Sequence, residues 1–147
     1  MRMNMTRVIL GGLLAGLVIN ISEFVLNMAI LGQRMNARMA QMNLPPISSN
    51  AVVVFVALGF LIGIGLVWLY AAIRPRYGAG PQTAMIAGAA VWFFGYFYSS
   101  ITAMVMGMWS PRLTAAVLLW GLVEVLIAAL AGGYVYQEET ARPAARA

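Results

Sequence analysis

The chain has 147 residues, of which 63% are hydrophobic and 9% charged, with a formal net charge of +5. Soluble proteins average about 45–50% apolar and about 25% charged residues, so this composition is that of an integral membrane protein with little chain left for a soluble module. Cysteine and histidine are absent, which excludes disulfides, thiolate nucleophiles and cysteine or histidine metal sites; with no Asp or Lys either, nine Arg, four Glu and the tyrosines are the titratable side chains.

Four apolar segments follow one another, at 8–31, 51–73, 83–108 and 113–136. Each exceeds about 20 residues, enough to cross roughly 30 Å of hydrocarbon at 1.5 Å per residue. The expected fold is all-α: an integral membrane bundle of four transmembrane helices, antiparallel and up-down, forming one domain over 1–147 with a short polar tail at 137–147.

The opening Met1–Arg7 and the apolar run behind it have the outline of a signal peptide. The run exceeds an h-region of about 7–15 residues, contains Glu23 and lacks an A-x-A site, so an uncleaved first helix is expected. Along that helix Gly12, Gly16, Asn20, Glu23 and Asn27 recur; at about 100° per residue they share a sector roughly 80° wide. A carboxylate on such a face, at membrane depth, marks a functional site. Helical period then persists through Met28, Leu31, Met35, Met39 and Met42, with Arg34, Arg38 and Gln41 as the polar side. An unbroken helix from Thr6 to Asn43 would be about 57 Å long, so the part after the span must protrude or bend and lie flat as an amphipathic extension. Pro45-Pro46 and Ser48-Ser49-Asn50 end it.

The second helix carries Gly59-x-x-x-Gly63, which with Gly12-x-x-x-Gly16 suits close backbone packing inside the bundle or at a homodimer face. Arg74-Pro75-Arg76 with Gly78, Gly80 and Pro81 reads as the break before the third helix, and Ser110-Pro111 as the break before the fourth. The third offers Trp92, Tyr96, Ser99 and Ser100; the fourth offers Trp120 and Glu124. Counting about 1.5 Å per residue from the helix starts places Glu23, Ser99 and Glu124 near or outside the midplane.

The missing counterion decides the expected chemistry. Every Arg lies at a helix end or in a connection, and Glu23 is at least about 16 Å along its own helix from Arg7 or Arg34. A buried carboxylate without a cation takes up a proton, or faces water or an exogenous cation. Asn20, Asn27, Tyr96, Ser99 and Ser100 would hydrogen-bond the acid or a ligand, and Trp92 and Trp120 have ring faces suited to an organic cation. Hydrogen-bonding glue between helices, worth about 0.6 kcal/mol per contact, falls short of the roughly 2.5–3.5 kcal/mol that a charged side chain costs at a span's centre. Ser99 and Ser100 have no His or Lys as base, and no cluster has metal-ligand spacing, so neither catalysis nor a metal or cofactor is expected.

Six arginines (Arg2, Arg7, Arg74, Arg76, Arg142, Arg146) fall on the side of the termini and three (Arg34, Arg38, Arg112) on the other. The positive-inside rule then places both termini in the cytoplasm of a bacterial inner membrane. The arginines flank spans and answer to topology and anionic lipid, so nucleic acid is rejected as a partner. In helix count, size and Glu23 the chain resembles the small multidrug resistance transporters, without the motif around that carboxylate; Asn20-x-x-Glu23 resembles the membrane-associated glutathione-transferase motif, but Gly16 stands where that motif has Arg. No family is assigned from these. The expected function is a buried site for a proton or small cation, coupled to transport or permeation of a small solute. The alternative is a non-catalytic accessory or assembly subunit that binds other membrane-protein subunits.

Overall fold

A computed structural model describes residues 3–138. Arg2, Arg142, Arg146 and the tail from Glu139 onward, which entered the orientation count and the tail assignment, lie outside the described residues. Every regular element among the described residues is a helix. Four are long and apolar enough to cross a membrane, Met5–Ile30, Ser49–Tyr77, Pro81–Val105 and Pro111–Val135. By length and composition this is a multi-pass membrane protein.

Helix α1 (Met5–Val25) passes into a π-helical turn, Leu26–Ile30, before α2 (Gly32–Gln41). Then come α3 (Ser49–Tyr77), α4 (Pro81–Val91), a second π-helical stretch at Trp92–Phe97, α5 (Tyr98–Val105) and α6 (Pro111–Val135). The starts follow local chemistry. Asn4, Ser48 and Ser110 cap α1, α3 and α6 by accepting from the N–H of Arg7, Ala51 and Leu113 at 3.1, 3.2 and 3.3 Å. Pro81 and Pro111 occupy first turns, where a missing N–H breaks no helical bond.

Three boundaries differ from those expected at 8–31, 51–73, 83–108 and 113–136. Arg74-Pro75-Arg76 is helical rather than a break, because a proline this close to the end forfeits a single bond, to the carbonyl of Ala71. The stop is Gly78, at φ +85°, whose N–H closes on the Arg74 carbonyl at 2.9 Å. The third span ends at Val105 rather than Met108: Gly107 takes φ +77°, and the N–H groups of Gly107 and Met108 turn back to the carbonyls of Met104 and Ala103. The unbroken helix from Thr6 to Asn43 does not form. Leu31, at φ −111°, separates α1 from α2, and α2 ends on Asn43 at φ 55° with the N–H groups of Asn43 and Leu44 returned to Ala40 and Met39.

Helix α1 is seated between α3 and α6, with α4 against α6 and α3. Its seats are glycines. A Cβ at Gly12 would stand 2.5 Å from the Ile64 Cα, one at Gly16 2.7 Å from the Phe60 Cα, and one at Gly11 2.6 Å from the Gly132 carbonyl oxygen. Gly63 and Gly132 face these positions from α3 and α6, so the glycine pairs meet within the chain. The main core gathers Val8, Ala15, Ile19, Leu66, Val67, Val125 and Ala128. A second, around Leu26, Leu31 and Leu113, takes in Met35, Trp109 and Trp120. At the far end of the main core Arg74 pairs with Glu138 at 3.8 Å and lies 5.4 Å from the Tyr136 ring centre, which meets Tyr70 edge-on.

Replacing Gly12 or Gly63 by Leu forces backbone apart, a change whose overpacking cost is about 1–3 kcal/mol or more. Either variant should unfold well below wild type, or aggregate, when thermal unfolding is followed in detergent. Gly65→Ala, where no atom lies within 4 Å of the added carbon, should match wild type.

Candidate functional site

Between the two cores, polar side chains from three spans converge. At about 100° per residue, Gly11, Ala15, Ile19 and Ser22 form the face of α1 toward α6, and Gly12, Gly16 and Asn20 the face toward α3; Glu23 shares the second face, on its side nearer α6. Its Oε2 accepts from Asn27 Nδ2 at 2.9 Å, and the same amide donates to the Glu23 backbone carbonyl at 2.8 Å. Asn27 stands on the first π turn. Ser22, beside Glu23, receives the indole N–H of Trp120 from α6 at 2.8 Å.

Glu124 is the buried carboxylate, 2% exposed. Its Oε1 accepts from the Tyr96 hydroxyl at 2.9 Å, while Oε2 is buried with no hydrogen-bond partner. Tyr96 stands on the second π stretch, and Gly121, one turn before Glu124, makes room for its ring: a Cβ there would lie 2.6 Å from Tyr96 Cδ1. Ser22 is a neighbour of the Glu124 carboxyl, and Glu23 is close enough to act electrostatically on both Glu124 and Tyr96. Each carboxylate therefore has a side-chain donor supplied by a π turn, where the backbone departs from α-helical register. Such turns occur frequently at functional sites. Neither acid pairs with an arginine among the described residues.

Other expected site residues lie elsewhere. Asn20 turns to α3, donating to the carbonyls of Gly16 at 2.8 Å and Val56 at 3.2 Å, with Gly59 leaving room for its amide. Trp92 ties the third span to the fourth by donating to the Leu118 carbonyl at 2.9 Å, and its ring meets Phe97 rather than the carboxylates. Ser99 is exposed and bonds back to the Gly95 and Tyr96 carbonyls, the usual resort of a serine in a helix. Ser100 lines a separate cavity of about 130 Å³ with Thr114, Met35 and Trp109. Ser22 and Gly121 went unmarked in the sequence: Ser22 lies about 100° off the polar stripe, and Gly121 belongs to no four-residue glycine pair. Among the described residues no three His, Cys, Asp or Glu side chains gather as a metal would require.

The chain matches no protein family, no curated protein and no solved structure. The site has to be read from its own chemistry.

A double-mutant cycle on Tyr96→Phe and Glu124→Leu, read by thermal or denaturant unfolding in detergent, should give a coupling of about 0.6–1.7 kcal/mol, the range of side-chain hydrogen bonds between membrane helices. Ser22→Ala with Trp120→Phe should give a coupling of the same order, and additive losses in either cycle would mean that the paired groups do not interact.

Proposed function

We propose that this multi-pass protein holds, between its first, third and fourth spans, a carboxylate pair that binds a proton or small cation in the course of moving a small solute across a bilayer. The observation that carries this reading is the pairing of Glu23 and Glu124 with one hydroxyl or amide donor each and no arginine. An ionised carboxylate in such surroundings is strongly disfavoured unless a proton or cation joins it. The unpartnered Oε2 of Glu124 is the atom at which that proton or cation would be held. Asn27, Tyr96 and Ser22 can follow the change in charge, because an amide or hydroxyl serves a carboxylate as donor and a carboxylic acid as acceptor.

The proposed setting is a bacterial inner membrane with both termini in the cytoplasm, on the arginine count. The spans run antiparallel in this reading. Its support is that Gly12 meets Ile64, Gly16 meets Phe60 and Asn20 meets Val56, so residue numbers rise along α1 as they fall along α3. Helix α2 is the amphipathic extension. Leu31 and Met35 turn into the second core, and Arg38 holds the connection before α6 by donating to the carbonyls of Gly107 and Met108. A second reading, an accessory subunit for other membrane proteins, draws on α3: Val52, Val53, Val54, Phe55 and Leu58 are all exposed, leaving that half of the helix to lipid or to a neighbour.

Liposomes containing the full chain and a pH-sensitive dye separate the two readings. Wild type should dissipate an imposed proton gradient, and Glu124→Gln and Glu23→Gln should each lower the rate at least about tenfold, the effect of removing one essential proton carrier. Absence of flux in the folded wild type, together with co-purification of a stoichiometric membrane partner, would instead establish the subunit reading.

A further inference from the structure

All three arginines assigned to the side opposite the termini come together at one cavity. It lies between α2 and the start of α6, measures about 580 Å³, and is lined by Arg34, Arg38 and Arg112 above Leu31 and Leu113. That volume is within the range of about 300–1,000 Å³ typical of small-molecule sites. Arg38 is fixed in place. Its Nε donates to the Met108 carbonyl at 2.9 Å, one terminal nitrogen to the Gly107 carbonyl and the other to Gln41 Oε1 at 3.1 Å. These neutral acceptors orient the guanidinium without cancelling its charge. Arg34 and Arg112 have no carboxylate partner among the described residues. Arg112 also stands in the first turn of α6, where the helix dipole is positive and a further cation is unfavourable unless an anion joins it.

We propose that this cavity binds an oxyanion of phosphate type, presented at the membrane boundary on the headgroup of an anionic amphiphile or as free phosphate. Guanidinium groups bind phosphate oxygens through paired, charge-assisted hydrogen bonds, and three of them from two helices converge here without an internal anion. The floor suits an amphiphile. Leu31 and Leu113 are buried apolar residues that continue into the second core, so a lipid can lay its first methylenes where its phosphate meets the arginines. Helix α2 is held in place by Arg38 before any ligand arrives, which limits the ordering that binding requires.

The test is independent of flux through the carboxylate pair. Full-length protein in neutral detergent is titrated with dioleoylphosphatidylglycerol, dioleoylphosphatidylcholine and inorganic phosphate, with bound lipid counted by native mass spectrometry. Phosphatidylglycerol should bind at least about tenfold more tightly than phosphatidylcholine, and more weakly as NaCl rises from about 50 to about 500 mM. Arg34→Gln and Arg112→Gln, both at exposed positions, should each weaken it about tenfold, while Arg76→Gln should not. Competition by inorganic phosphate would identify the free anion as a sufficient ligand, and its absence would assign the site to the lipid headgroup. Equal binding of the two lipids, affinity indifferent to salt, or unchanged affinity in a folded Arg34→Gln/Arg112→Gln variant would each overturn the proposal.

Discussion

Lipid tails are as apolar as leucine, so helices in a bilayer gain little by burying apolar side chains against one another and depend on close fit and hydrogen bonds. Backbone contact is the closest fit there is, and α1 makes it on two sides. Gly12 and Gly16 meet Gly63 and its neighbours on α3, and Gly11 meets Gly132 on α6. Two such contacts leave α1 no freedom to rotate. Residues one to three turns further along inherit that setting: Asn20 faces α3, Ser22 faces α6, and Glu23 shares the sector of Asn20 on the side nearer α6.

The polar groups then do two kinds of work at one level of the bundle. Asn20 to Val56, Trp120 to Ser22, Trp92 to Leu118 and Tyr96 to Glu124 join neighbouring spans, and each uses a donor that would otherwise be unsatisfied away from water. Glu23, and the second oxygen of Glu124, are left over from this network. Apolar clusters close the level on both sides, with Ile19 and Val125 in one and Leu26 and Leu113 in the other. Glu124 is enclosed in this way, and it and the half-buried Glu23 receive their hydrogen bonds from Tyr96 and Asn27, side chains that carry no charge.

What the sequence could reveal was whatever depends on one segment at a time. The four spans follow from hydropathy and length alone, and capping by Ser48 and Ser110 from residue type. Counting along each helix put Glu23 and Glu124 at neighbouring depths. The same count grouped Ser99 with them, because depth says nothing of azimuth: Ser99 is on the outside of its helix, three residues after Tyr96. Azimuth itself was altered by the π turns, which have no signature in residue type and shift every position after them. Arg74-Pro75-Arg76 looked like a boundary because proline and arginine are rare in spans, yet a single lost hydrogen bond near a helix end is tolerable. The return of α2 onto the Gly107–Met108 turn rests on backbone carbonyls exposed by a glycine in left-handed conformation, a detail of φ angles rather than of composition.

The π turns also set a phase relation. A turn of this kind holds one residue more than an α-helical one, and so offsets everything after it by about 100° relative to an uninterrupted helix. In the third span, α4 keeps Ala84, Ala87 and Gly88 inward against its neighbours, while Tyr96 is brought round to Glu124 by residues that an α-helix would aim elsewhere. The two halves of that span are therefore phased separately: one for packing against small side chains, the other for presenting a hydroxyl. Deleting one residue between Trp92 and Phe97 would remove the extra residue and its offset together, leaving an uninterrupted α-helix in which α5 keeps its neighbours. A deletion within α4, which has no extra residue to give up, would instead be a change of direction rather than of length.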